Sequence, residues 1–205
     1  GLDFSRVTTF NLDEYVGLAP NHAQSYHRFM QEHFFQHVNI PAQNVHIPHG
    51  TTSNAPAFCA WYEQRIQDVG GIDLQILGIG TDGHIAFNEP TSSLGSRTRI
   101  KTLAKQTIDD NPRLCARRED VPIYAITMGV GTILEARQII LLANGRNKAN
   151  AIAQAVEGPV TSMITASALQ WHANTQVYLD RDAAGELTMT DYYAWVQQYK
   201  PGAPR

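Results

Sequence analysis

Cysteine is scarce. The 205 residues contain only Cys59 and Cys115, which cannot make a disulfide framework and point to a reduced, cytoplasmic protein. Charge is sparse as well. Asp, Glu, Lys and Arg make up 17%, against roughly 25% in an average soluble domain, which favours a compact enzyme-like domain with part of its surface withdrawn into a subunit interface. No block of Lys or Arg stands out, and the formal net charge is −3, so a basic field for nucleic acid is excluded. No apolar run approaches the ~18 residues of a membrane span, and the opening residues lack a signal-peptide pattern. Internal repeats, low-complexity tracts and dividing linkers are missing too. With 43% hydrophobic residues over this length, the expectation is one well-buried domain covering residues 1–205.

What is present is an alternation of short apolar runs with helical patterns, the signature of βαβ units. The expected fold is α/β: three layers, a mostly parallel Rossmann-like sheet with helices on both faces. RVTTFNL at 6–12 reads as a strand ending at Asp13-Glu14-Tyr15, and Ser25 caps a helix to about Val38. Residues 45–47 form a short strand, and a helix starts at Ser53 or Asn54 and stops at Gly70-Gly71. LQIL at 74–77 suits a central parallel strand. Further strands are expected at 123–128, 138–142 and 176–179, a helix opening at Asn147, and a terminal helix over 191–199. Residues 105–121, polar and irregular with Pro112 and Arg113, read as a lid-like surface segment. The chain opens almost directly on a strand, without the strand–loop–helix that commonly begins an α/β enzyme, as a fragment would.

The stretch GIGTDGHIAFNEP at 78–90 spaces its glycines as G-x-G-x-x-G. A dinucleotide fingerprint needs a helix after the turn and an acidic residue about 20 positions on. Here Pro90 blocks the helix, and the later region reads Arg99-Ile100-Lys101. The alternative is a catalytic loop. Asp82, His84 and Glu89 place three proton-transferring groups just past the carboxyl end of a strand, where open α/β sheets put their ligands. A His flanked by carboxylates has one nitrogen oriented and the other available for acid–base work. A core histidine with two capping acids is the plainer reading, and three such groups on one loop weigh against it.

Asp13, at the end of the first strand, lies on the same sheet edge if that strand is parallel; capping or solvent-facing acids are the alternative. Lys148 falls in the first turn of the helix after Gly145, where a cation opposes the helix dipole unless an anion such as phosphate bridges the two; an exposed lysine is the alternative. The Gly129-Val130-Gly131-Thr132 turn is a further candidate ligand-facing loop. Of the eight histidines, His33 and His37 have helical i, i+4 spacing, but H-F-F-Q-H lacks the Glu of a zinc motif, and no metal is expected.

The segments TTFNLDEYVGL (8–18), SYHRFM (25–30), GIGTDGHIAFNEPTSSLGSRTRIKTL (78–103), YAITMGVGTILEA (124–136) and GRNKA (145–149) resemble the glucosamine-6-phosphate deaminase family. The resemblance runs from about residue 6 to about 180. It implies conversion of glucosamine 6-phosphate and water to fructose 6-phosphate and ammonia, in amino-sugar catabolism, without metal or organic cofactor. His84 would assist ring opening, oriented by Asp82 and Glu89, and Asp13 would carry a proton from C2 to C1. Lys148 and Arg113 would hold the substrate phosphate. Allosteric members bind N-acetylglucosamine 6-phosphate between the subunits of a hexamer. The matching positions are Ser92, Arg99, Lys101 and Thr102, so a homo-oligomer with that activator is implied, with neither nucleic acid nor membrane as partner.

Three departures stand out. The family's N-terminal strand and its Gly/Thr-rich phosphate loop have no counterpart here. Thr81 stands where Asn is usual. A C-terminal allosteric Tyr has no secure match, with Tyr192 and Tyr193 nearest. A related sugar-phosphate lactonase or isomerase, or a non-catalytic phosphosugar-binding fragment, are the competing readings.

Overall fold

A computed structural model describes residues 1–109 and 122–201. It is α/β, as expected, with its strands in three ladders. β1 (Thr9–Phe10) pairs in parallel with β3 (Val45–His46). The chain then changes partners. The Asn11 N–H still donates to the His46 carbonyl at 2.9 Å, but the Leu12 carbonyl accepts from Met128 N at 2.7 Å. From there β2 (Asp13–Tyr15) runs antiparallel to β6 (Tyr124–Thr127), which also pairs antiparallel with β5 (Arg99–Thr102). This corrects the expectation of one strand ending at Asp13: that residue opens a second, antiparallel strand, opposite Thr127.

The third ladder is parallel: β4 (Leu74–Leu77), β7 (Gln138–Ala143) and β8 (Thr175–Leu179), in the order β4-β7-β8. Among the described residues β4 is an edge strand, where the sequence suggested a central one. Its side chains alternate accordingly. Leu77 joins Ile139 and Leu141 in the main core, at 1% exposure or less, each such burial being worth about 2 kcal/mol. On the other face Leu74, Ile76, Leu142 and Tyr178 lie 46–54% exposed.

The helices follow their local signals. α1 (Tyr26–His33) is capped by Ser25, whose hydroxyl accepts from Arg28 N at 3.1 Å. It stops before the anticipated Val38, because a 3₁₀ turn, Phe35–His37, follows. α2 (Ala55–Asp68) is capped by Asn54 and ends where Gly70 and Gly71 take positive φ of 90° and 89°. Tyr62 of α2, fully buried, donates its hydroxyl hydrogen toward the Asn11 and His46 carbonyls and so ties α2 to the β1–β3 ladder. α3 (Lys105–Asp109), α4 (Val130–Leu134), α5 (Ala149–Val156) and α6 (Thr190–Tyr199) are the other α-helices among the described residues.

The turn at Gly129–Thr132 packs against the Ser96 backbone, and its residues are not in the lining of the cleft described below. A Cβ at Gly129 would lie 1.9 Å from the Ser96 carbonyl oxygen, so this glycine exists to let two backbones touch. Behind it Glu63 gathers Arg97, the Thr98 amide and hydroxyl, and the Thr132 hydroxyl, with Arg97 also bridging to Glu135. That network locks the approach to β5 against α2 and α4.

Candidate active site

A cleft of about 450 Å³ opens where the β1–β2 junction, the loop after β4, helix α1 and the turn before α5 meet. Asp13, His84 and Lys148 line it together, with Tyr26, Phe29 and Met30 of α1 as one wall. Three of the candidate residues, from positions far apart in sequence, therefore share one cavity.

The loop after β4 explains its glycines. Gly80 N donates to the His84 carbonyl at 2.8 Å, and Gly83 N to the Gly80 carbonyl at 3.1 Å. A Cβ at Gly80 would fall 2.4 Å from the His84 ring. Gly83 has φ +84°, a conformation that side chains resist. This tight curl turns the imidazole back onto Asp82. His84 Nδ1 lies 2.6 Å from Asp82 Oδ1, which also accepts the His84 amide at 3.1 Å. Glu89 Oε2 stands 3.6 Å from the same ring nitrogen. Because an ionised carboxylate only accepts, Nδ1 carries the hydrogen and Nε2 is the nitrogen available for proton exchange.

Glu89 is buried, with Oε1 accepting from Ala104 N at 3.0 Å, while Oε2 has no hydrogen-bond partner. Ala86, also on the cleft, is held at φ +51°, a strained backbone for a non-glycine.

Electrostatics separate the groups. For His84, burial disfavours the charged ring, yet the hydrogen bond and charge of Asp82, with Glu89 adding, lift its pKa above the ordinary value; Lys148 pulls the other way. Asp82 also suffers from burial, but its bonds to His84 win and hold it below the usual carboxylate value. Asp13 behaves oppositely. Burial first, then repulsion from Glu14, raise it to about 7, with His84 partly offsetting. Two carboxyls coupled to His84 thus have opposite tendencies: Asp82 is held toward its charged form, and Asp13 toward proton exchange near neutrality.

The ring nitrogen and the two carboxylate oxygens of Asp82, His84 and Glu89 lie within 4.8 Å of one another. Such a set can converge on a metal ion, but the Asp82–His84 hydrogen bond already joins two of its members, as proton transfer requires.

The remaining candidates fare differently. Lys148 ends a 3₁₀ turn, Arg146–Lys148, and is the residue preceding α5, one position outside the expected helical turn. Arg113 lies outside the described residues. Arg99 and Lys101 occupy one face of β5 and Thr102 the other. Arg99 donates to Asn88 Oδ1 at 2.9 Å and to the Arg97 carbonyl, so it braces the catalytic loop. Ser92 is buried apart from them, its amide bonded to the Glu89 carbonyl. Among the described residues these four do not form one hydrogen-bonded cluster.

Sequence reasoning missed the α1 wall, which an amphipathic pattern alone does not mark as functional. It also left the role of Glu14 undecided, although the adjacent acids in Asp-Glu-Tyr were a signal.

Comparison with known proteins gives the family. Residues 1–178 match the family described as glucosamine-6-phosphate isomerases/6-phosphogluconolactonase. A protein of Hahella chejuensis named glucosamine-6-phosphate deaminase is 55% identical over 196 residues, 96% of this chain and 75% of that protein. One of the same name from an Arthrobacter species is 52% identical over 201 residues, 98% of this chain and 77% of its own length. The chain thus spans about three quarters of these relatives. A solved structure described as a monomeric glucosamine-6-phosphate deaminase superposes with a TM-score of 0.88 at 43% identity, over 90% of this chain and 77% of that one. A 6-phosphogluconolactonase from Trypanosoma cruzi shares the fold, with a TM-score of 0.70 at 19% identity, over 89% of this chain and 73% of that one. The chain belongs to the glucosamine-6-phosphate isomerase/6-phosphogluconolactonase family.

Proposed function

We propose that the chain converts glucosamine 6-phosphate and water to fructose 6-phosphate and ammonia. The observation that carries the reading is the pairing, across one cleft, of a carboxyl poised near neutrality (Asp13) with an imidazole oriented by a carboxylate (His84 and Asp82). Aldose–ketose isomerisation with loss of ammonia is a sequence of proton transfers, and these groups supply them without a cofactor. His84 exchanges a proton with the ring oxygen through Nε2 as the pyranose opens. Asp13, ionised, takes the proton from C2 and returns it to C1. Asp82 and Glu89 stabilise the imidazolium that forms in between.

Lys148 supplies the cation for the substrate phosphate, at the mouth of α5. Arg113 is assigned to the same phosphate from the family resemblance. An anionic activator such as N-acetylglucosamine 6-phosphate is assigned to Ser92, Arg99, Lys101 and Thr102, between subunits of a homo-oligomer. The shared face of Arg99 and Lys101 supports this, and the monomeric relative speaks against it. Sedimentation with and without that sugar phosphate decides between them.

The reaction itself is tested by ammonia release from glucosamine 6-phosphate, with Asp13→Asn and His84→Gln as controls. Each control should lose a factor on the order of 10²–10⁴. Turnover of 6-phosphogluconolactone with no ammonia released would refute the proposal in favour of a lactonase.

A further inference from the structure

Glu14 is fully buried and adjacent to Asp13, and the reaction outlined above gives it no task. A carboxylate out of water is costly unless every lone pair finds a donor. Here four donors converge. Oε1 accepts from Tyr15 N at 2.9 Å and Tyr26 N at 3.1 Å; Oε2 accepts from His27 N at 3.1 Å and faces His27 Nδ1 at 3.0 Å. Two of these donors are the first amides of α1, where a negative charge also meets the positive end of the helix dipole. Ser25 already caps the Arg28 amide, so the helix start is doubly satisfied, once from its own segment and once from the strand carrying Asp13.

The surroundings make this tie stiff. The backbone of Gly50 closes over it: a Cβ there would lie 2.2 Å from the Tyr15 carbonyl oxygen and 3.3 Å from Glu14 Cγ. The Tyr15 and Tyr26 rings stack at 5.6 Å. Tyr26, Phe29 and Met30 then form the cleft wall. Any shift of α1 against β2 therefore changes the width of the cleft and the setting of Asp13 at once. His27, with 24% of its side chain exposed, connects the tie to solvent.

We propose that Glu14 and His27 are a positioning pair for the reaction: the buried carboxylate fastens the strand bearing Asp13 to the start of α1, and so fixes both the proton carrier and the cleft wall that faces it. The proposal rests on the reading of Asp13 as that carrier. Glu14 also acts on Asp13 through its charge. Among the described residues the titratable groups that act on Asp13 or share its cleft are Glu14 and Tyr15 on its own strand, Tyr26 on α1, Tyr62 on α2, His84 on the loop after β4 and Lys148 before α5. The three tyrosines are all held above their ordinary value, burial being the main cause, and stay neutral. Glu14 and His84 are then opposing influences, one favouring the neutral carboxyl and the other the carboxylate.

The test is steady-state ammonia release by the whole chain across the neutral pH range, for wild type, Glu14→Gln, His27→Ala, His27→Asn and Asp13→Asn. Glu14→Gln removes a negative neighbour, so the acid limb of kcat/KM should move to lower pH. KM should rise roughly tenfold as the wall loosens. His27→Ala keeps the Glu14 charge but removes one of its donors, so KM should rise by less with the acid limb close to wild type, and His27→Asn, whose amide can donate in place of Nδ1–H, should restore the wild-type KM. Wild-type KM and acid limb in Glu14→Gln would overturn the proposal. If that variant does not fold, an unchanged KM in His27→Ala overturns it equally, and so does a lowered melting temperature with KM unmoved. Full activity in Asp13→Asn instead refutes the reading of Asp13 as proton carrier, whatever Glu14→Gln does.

Discussion

Asp13 costs the fold stability in proportion to its readiness to hold a proton. Its carboxyl titrates at about 7 in the folded protein against 3.8 unperturbed. A group whose folded value is raised contributes stability that is complete below the unfolded value and is lost as pH rises through the folded one. Between about pH 4 and about pH 7 the unfolded chain ionises while the folded one does not, and the fold loses about 1.4 kcal/mol per pH unit from this site. The upper bound is about 4 kcal/mol above neutrality, from the shift of 3.8 to about 7. Asp13 lines the open cleft and keeps an edge to solvent, so water there should leave about half of that, ~2 kcal/mol. An asparagine side chain cannot ionise, so Asp13→Asn should be the more stable protein at about pH 8 and indistinguishable from wild type near pH 4. Urea unfolding of both proteins across that range measures the difference. A stability difference that does not change with pH would refute the reasoning, because Asp13 would then titrate alike in the folded and unfolded chains.

Two further outcomes follow from the catalytic loop. Asp82→Asn removes the hydrogen-bonded charge that lifts His84, so the imidazole should titrate at lower pH than in wild type; NMR of the ring protons detects this, and an unmoved titration counts against Asp82 as the orienting group. Gly80→Ala places a methyl 2.4 Å from the His84 ring, and the displaced imidazole should cost on the order of a hundredfold in kcat/KM; wild-type turnover would show that the ring position is not critical.

Much of the site was legible because its residues sit on loops whose composition is unusual for packing. No core requirement explains Asp82, His84 and Glu89 within one short, glycine-rich turn, and the cleft does gather His84 with Asp13 and Lys148. The α/β class was legible from the same apolar runs that became β4, β7 and β8. What stayed hidden were pairings decided at a distance. Nothing in RVTTFNLDEY says that the ladder changes partner at Leu12, since that depends on the Met128 amide reaching its carbonyl. Edge or central placement of β4 was equally illegible, because an apolar run records burial and not neighbours. Gly129 resembled ligand-loop glycines, and its real demand, contact with the Ser96 backbone, involves a residue 33 positions earlier. Glu14 could be read as a solvent-facing or a capping acid, and its capping of α1 could not be told from sequence because the helix amides it accepts from come from another segment.

One face of the parallel ladder, open among the described residues, has a practical consequence for this chain. Leu74, Ile76, Leu142 and Tyr178 form an oily patch on a sheet of the kind normally wrapped on both sides. While it stays bare, fluorophores that brighten in apolar surroundings should stain the native protein much as they stain a molten one. A dye-reported melt would then begin from a high baseline, and concentrated solutions should turn cloudy before the core gives way.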